Sequence, residues 1–177
     1  LDLNAAETPT TLQQAFDVVL DSGTLEHVFD VPAVLRHCCR MVKPQGRVIH
    51  FTPSSNCVEH GFYSVSPTLY ADFYAASGCE LNDICLVRMG VDFERGYWDV
   101  YDYLHAPQRD ALLGQLDHSI WFTWSIITAQ ESVTPRVPQQ AFYVNRWQPE
   151  AAPTELIHGE PTTTKAGRLL NLVAGHP

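Results

Sequence analysis

The sequence is poor in basic residues, and only two of them are lysines, Lys43 and Lys165. Eleven Lys and Arg face 20 Asp and Glu, for a formal net charge of −9 over 177 residues. Such an acidic chain repels phosphate backbones and anionic lipid. No apolar run approaches the roughly 20 residues of a membrane span, and the first residues lack a signal-peptide pattern. We therefore expect no nucleic-acid or membrane partner and a cytoplasmic location.

The cysteines also lack the patterns that build covalent or metal cross-links. They are odd in number and contain no CxxC pair: Cys38, Cys39, Cys57, Cys79 and Cys85. This spacing fits neither a disulfide framework nor a cysteine zinc site. We expect reduced, mostly buried thiols that serve packing.

What is present is a globular composition, with 45% hydrophobic and 18% charged residues. The length corresponds to about one domain, enough to bury roughly 70% of the surface that the unfolded chain exposes. Pro, Thr, Glu and Ala dominate after residue 147. We predict a folded α/β domain over residues 1–147 and a polar tail over 148–177.

Strand-like and helix-like segments alternate through the first half of the chain. Buried strands are predicted over 16–20, 47–51 and 80–89, and helices over 31–42 and 66–77. Asp30 and Ser66 stand where N-caps belong, each followed by a first-turn proline. This order favours right-handed crossovers and a mostly parallel sheet with helices on its faces.

A tight turn over 43–46 is predicted to end the first helix. The second half of the chain is less regular. It contains an aromatic-rich segment over 91–105, and its pattern predicts a strand over 119–133 and a little more ordered chain over 139–147. Short helices are predicted over 108–116 and 165–174.

Two polar clusters follow predicted strands. Residues 21–27 (DSGTLEH) come after the first strand, and residues 54–63 (SSNCVEHGFY) come after the second. Ligands of open α/β sheets bind at the carboxyl ends of the strands. Two loops, each with a Glu-His pair, are therefore expected to converge on one sheet edge.

Several chemistries are open to these loops. Histidine suits proton abstraction, although a single histidine is more often a satisfied structural residue. Glu26 and His27 are adjacent, so we expect them to point in different directions. A metal site of His27, His60 and the glutamates lacks a ligand-spacing motif such as HExxH, so we predict none. A hydrolase using Ser22 or Cys57 lacks the GxSxG elbow.

Residues 16–55, FDVVLDSGTLEHVFDVPAVLRHCCRMVKPQGRVIHFTPSS, resemble the middle of a class I S-adenosylmethionine-dependent methyltransferase. Residues 40–46 are similar to that family's R-x-L-K-P-G-G turn, with Gln45 in place of its first glycine. Residues 60–67, HGFYSVSP, are similar to an HGFYxFSP segment of methyltransferase-like proteins that are encoded in polysaccharide and secondary-metabolite gene clusters. Residues 1–4 are similar to a DLN segment of the same subgroup.

The resemblance implies a Rossmann-like sheet and methyl transfer from S-adenosylmethionine to a small-molecule or glycan acceptor. It places four residues on the cofactor side, namely Asp2, Asp21, Ser22 and Gly23. It makes His27 or His60 the base that deprotonates the acceptor, with Glu26 or Glu59 orienting it.

One family element is missing, because no GxGxG-like loop occurs in the chain. Fifteen residues precede Phe16, too few for another strand, loop and helix, since a crossover alone needs roughly a dozen. We expect a chain incomplete at its N-terminus. The alternative is a non-catalytic binding or structural protein on a degenerate methyltransferase scaffold. Exposed strand edges would then favour a homo-oligomer.

Overall fold

The structure, a computed structural model, describes residues 1–89, 98–105, 114 and 116–144 in full and residues 145–147 and 164–165 by their backbone. Its strands are β1 (Phe16–Ser22), β2 (Val42–Ser55), β3 (Glu80–Met89), β4 (Trp98–Asp102), β5 (Ile120–Thr128) and the two-residue β6 (Thr164–Lys165). Its α-helices are α1 (Val31–Met41), α2 (Pro67–Ala76) and α3 (Ala141–Trp147), and single 3-10 turns occupy Thr10–Leu12 and Leu25–His27.

The six strands form one sheet in the order β1-β2-β5-β3-β4-β6. Only β1 and β2 pair in parallel, and every other pairing among the described strands is antiparallel. The fold is mixed α/β, but the prediction of a mostly parallel sheet is wrong. The reason is that β5 runs antiparallel between β2 and β3, so β1, β2 and β3 share one direction without all being neighbours.

Local signals place both central helices where the sequence predicts them. The Ala33 amide donates to Asp30 Oδ1 at 2.9 Å, and the Thr68 amide donates to Ser66 Oγ at 3.3 Å. The predicted turn over 43–46 is a wide bulge within β2, because Val42 pairs with Phe16 but Arg47 already pairs with Val18. Strand β2 also continues past its predicted end at residue 51 to Ser55.

The predicted strand over 119–133 is confirmed as β5, and part of residues 139–147 forms α3. Part of the aromatic-rich segment forms β4. Most of the predicted helix over 108–116 lies outside the described residues. The same is true of the predicted tail over 148–177 and of the predicted helix over 165–174 within it. In the tail the structure describes only Thr164–Lys165, which form strand β6.

The core lies between one face of the sheet and helices α1 and α2. Its largest fully buried apolar or aromatic side chains are Leu25, Leu35, Tyr70, Tyr74, Ile84 and Ile127. On the opposite face, β1 exposes Phe16 (41%), Val18 (52%) and Leu20 (63%). The prediction that β1 is a buried strand is therefore wrong, because β1 is the sheet's edge strand. No described helix is long and apolar enough to cross a bilayer.

Candidate active site at the ends of β1 and β2

The loops that follow β1 and β2 lie against each other at the carboxyl edge of the sheet. The Phe62 amide donates to the Glu26 carbonyl at 2.8 Å, and the Gly23 amide donates to the Phe51 carbonyl at 3.1 Å. The Tyr63 hydroxyl donates to the Phe29 carbonyl at 3.0 Å. These bonds hold the two polar clusters of the sequence together.

Three side chains meet where the loops touch, and we call Glu26, His27 and His60 the Glu-His-His cluster. Oε1 of Glu26 lies 3.4 Å from Nε2 of His60 and 3.8 Å from Nε2 of His27. The two imidazole centroids are 5.1 Å apart. The glutamate side chain is 0% exposed, whereas His27 and His60 are 48% and 50% exposed. A buried carboxylate thus underlies two rings that open to solvent.

The Glu26 carboxylate makes no hydrogen bond, although both of its oxygens are buried. Burying a polar group without a hydrogen bond is costly, and burying an unpaired charge costs more. The two imidazoles are within ion-pair range but are not placed as hydrogen-bond donors. A positive charge beside Glu26 would therefore be stabilised by this carboxylate.

The structure departs from two sequence expectations here. Glu26 and His27 do approach each other, because the tight 3-10 turn over Leu25–His27 folds both side chains toward the second loop. Glu59, in contrast, sits in an exposed left-handed conformation at φ 64°, and no described contact joins it to the cluster. Of the two glutamates predicted to orient a histidine, only Glu26 is in position.

A second, mostly buried network supports the first loop. Oδ1 of Asp21 accepts from the Thr24 and Leu25 amides at 3.1 Å each, and Oδ2 lies 2.7 Å from Nδ1 of His50. Nε2 of His50 lies 2.7 Å from the Tyr74 hydroxyl. This chain of contacts ties the turn before Glu26 to β2 and α2.

Burial raises the pKa of Tyr74 well above its ordinary value, so its phenol keeps its proton. The hydroxyl can then donate to Nε2 of His50, which leaves Nδ1 of the ring to donate to Asp21. His50 and Tyr74 were not predicted from the sequence as supports of the site. The available signal was a polar histidine at an inward position of an apolar strand, RVIHF.

Not all residues predicted for the cofactor side are available to contact a cofactor. Both carboxylate oxygens of Asp21 are engaged within the protein. Ser22 and Gly23 are exposed at the edge, with Gly23 at φ 81°. Asp2 is exposed and caps a turn by accepting from the Asn4 amide at 2.9 Å.

Cys57 lies in the second loop near the cluster. Partial burial, followed by the charge of Glu26, raises the pKa of its thiol. Because the thiolate is the nucleophile of cysteine chemistry, a raised thiol pKa at this position disfavours the hydrolase interpretation.

A cavity of about 420 Å³ beside Gln14, Pro44 and Glu131 lies at the opposite end of the strands, away from the Glu-His-His cluster.

Gly61 is the residue that lets the second loop approach Glu26. A Cβ at Gly61 would lie 2.8 Å from the Glu26 carbonyl oxygen and 3.0 Å from Cγ of Glu26. We expect Gly61→Ala to separate the loops and to lower the free energy of unfolding by about 1–3 kcal/mol, the usual cost of overpacking. Urea denaturation measures this loss.

Ser64→Ala is the matched control, because Ser64 is exposed in the same loop and makes no described side-chain contact. It should leave the unfolding midpoint unchanged. Equal stability of the two variants would show that the approach of Gly61 to Glu26 does not hold the loops together.

An α/β fold with a polar cluster beyond the carboxyl ends of two parallel strands is typical of enzymes that bind ligands at this edge. Residues 2–119 match the family described as Methyltransferase domain. The chain belongs to this family and is a class I S-adenosylmethionine-dependent methyltransferase-like protein. The matched region contains both loops and the Glu-His-His cluster. A search of curated proteins finds no match.

Proposed function

We propose that the chain transfers a methyl group from S-adenosylmethionine to a hydroxyl or amine of a small-molecule or glycan acceptor. The observation that carries the proposal is the Glu-His-His cluster, in which a buried carboxylate lies under two solvent-facing imidazoles. Family membership supports methyl transfer in general. The cluster supplies what the acceptor needs, a group that takes over its proton.

In this proposal a neutral imidazole of His27 or His60 accepts the acceptor's proton as the acceptor oxygen or nitrogen attacks the methyl carbon. The imidazolium that forms lies beside the Glu26 carboxylate, which stabilises its charge. Positioning of the acceptor in line with the methyl group supplies the rest of the rate. The acceptor enters from solvent, on the side where both rings are half exposed.

The cofactor would lie along the edge formed by Ser22 and Gly23. Both residues are exposed, and a glycine at φ 81° allows a ligand to approach the backbone closely. Asp2 retains an exposed carboxylate that suits ribose hydroxyls or adenine, whereas Asp21 acts on the loop from inside. S-adenosylmethionine would supply an electrophilic methyl group at this edge.

Isothermal titration with S-adenosylmethionine and S-adenosylhomocysteine tests the cofactor assignment. We expect binding in the micromolar range, and we expect Gly23→Val to abolish it, because a branched side chain would crowd the edge. Glu131→Ala serves as the control, because Glu131 is exposed at the opposite end of the strands. A folded chain that binds neither ligand would contradict the proposal.

A second candidate is a non-catalytic binding protein, and the exposed apolar row of Phe16, Val18 and Leu20 on edge strand β1 favours it. Edge strands with apolar residues tend to be covered by another strand, here from a second copy of the chain. A dimer in light scattering together with no cofactor binding would favour this function. A monomer that binds S-adenosylmethionine would exclude it.

A further inference from the structure

We propose that Glu26, His27 and His60 bind one divalent transition-metal ion of the zinc type. Each residue offers one ligand atom, and the three atoms lie within 4.8 Å of one another. Two imidazoles and a carboxylate are the ligand set of a catalytic zinc site, which keeps its fourth position open. No metal was predicted from the sequence, because a ligand-spacing motif such as HExxH is absent from it.

The spacing of the ligand atoms is close to what zinc requires. A tetrahedral ion with bonds of about 2.0–2.2 Å separates its ligand atoms by about 3.3–3.6 Å. The distance from Glu26 Oε1 to His60 Nε2 is already 3.4 Å, and that to His27 Nε2 is 3.8 Å. Because both rings are half exposed, small side-chain rotations can close the remaining gap.

The electrostatics point to a cation as well. Both Glu26 oxygens are buried and lack a hydrogen-bond partner. The carboxylate is therefore desolvated, and no hydrogen bond offsets the free-energy cost of that desolvation. Its backbone is clamped by the Phe62 amide and by the close approach of Gly61. A carboxylate held rigidly without a partner is preorganised to ligate an ion.

The donor set selects the kind of ion. Imidazole nitrogen suits zinc, cobalt and related transition metals, whereas magnesium prefers oxygen ligands and keeps its own waters. We therefore expect Zn²⁺ and Co²⁺ to bind and Mg²⁺ to bind far more weakly.

The use of such an ion rests on the proposed function. A hydroxyl acceptor bound at the open fourth position would lose its proton to water more readily, because a bound divalent cation lowers the pKa of a coordinated oxygen. In the metal-bound site, His27 and His60 would then act as ligands, and the cation would replace the free imidazole as the activating group. Metal binding itself does not depend on any methyl transfer.

Titration of the metal-free chain with ZnCl₂ and CoCl₂ tests the site. We expect one equivalent to bind and the unfolding temperature to rise by about 5–10 °C at a hundredfold excess over Kd. His27→Ala, His60→Ala and Glu26→Gln should each weaken binding at least about tenfold. MgCl₂ at the same concentrations should give no shift.

Glu26→Gln also carries a second signature that a purely structural residue would not produce. Without metal the variant should be at least as stable as the wild type, because it removes a buried charge that has no partner. With Zn²⁺ it should lose most of the stabilisation that the wild type gains. A variant that simply fails to fold would show low stability in both conditions, and the two histidine variants, which alter half-exposed side chains, would then decide.

Cys57→Ser controls for binding by thiols, because Cys57 lies in the same loop. It should leave affinity unchanged, and the Co²⁺ complex should lack a thiolate charge-transfer band. The proposal is overturned if Zn²⁺ does not bind, if Glu26→Gln and both histidine variants bind it as tightly as the wild type, or if Cys57→Ser abolishes binding. Zinc binding without S-adenosylmethionine binding would separate failure of the proposed function from failure of the metal site.

Discussion

Replacing His27 or His60 by alanine should lower kcat for methyl transfer by about 10²- to 10⁴-fold, the usual contribution of a positioned proton acceptor. Both rings share the Glu26 carboxylate, so the loss of either leaves the cluster incomplete. The loss is expected whether the imidazoles take the proton themselves or hold a cation that lowers the pKa of the acceptor hydroxyl, whose proton then passes to water. The measurement is incorporation of labelled methyl from S-adenosylmethionine into a panel of hydroxyl and amine acceptors.

His105→Ala is the matched control, because His105 is exposed and paired with Asp102 at 3.0 Å, outside the cluster. It should retain the full rate. Combining His27→Ala with His60→Ala should cost little more than either change alone, since residues that act as a unit are non-additive. Single variants that retain the wild-type rate and fold would remove both histidines from the reaction.

Asp21→Ala should lower the free energy of unfolding by about 2–5 kcal/mol, because each buried donor that loses its acceptor costs about 1–3 kcal/mol. The variant leaves the Thr24 and Leu25 amides without their acceptor and leaves His50 Nδ1 without its partner. Because these bonds shape the turn before Glu26, methyl transfer should fall as well. Urea denaturation followed by circular dichroism measures the loss of stability.

Two variants calibrate that result. Asp21→Asn keeps an oxygen for the two amides and should cost less than alanine, since His50 can change its tautomer to accept from the new amide. Asp17→Ala removes an exposed carboxylate of the same strand, which pairs with Lys43 at 2.9 Å. Surface pairs contribute little to stability, so Asp17→Ala should barely change it. Equal effects of Asp17→Ala and Asp21→Ala would refute the structural role of Asp21.

The parts of the fold that follow short-range rules were predictable. Helices α1 and α2 begin directly after Asp30 and Ser66, because a side-chain oxygen of each of these N-cap residues satisfies an amide of the first turn. The alternation of strands and helices also predicted that β1 and β2 run in parallel, and the two strands do pair in parallel. Because parallel strands end at one edge, the loops with His27 and His60 had to lie near each other.

Sheet order was not predictable in the same way. β5 pairs with β2 and β3, which are distant from it in sequence. No local sequence pattern predicts that a strand late in the chain inserts between two earlier strands. The same limit applies to β1, whose apolar run FDVVL predicts burial but which stands at the edge of the sheet. An apolar run indicates that burial would be favourable, but whether the strand is buried depends on which strands and helices pack against it in the folded chain.

Residues close together in the chain were enough to identify the family, the two polar loops and the histidines in them. The glutamate that joins those histidines could be identified only from the packed fold, in which Glu26 is buried beside both rings and Glu59 is exposed. The contact of Asp21 with His50 inside the protein also depends on that packing. Burial and contact across loops depend on how whole elements pack, and residue types at a given spacing do not encode that packing locally.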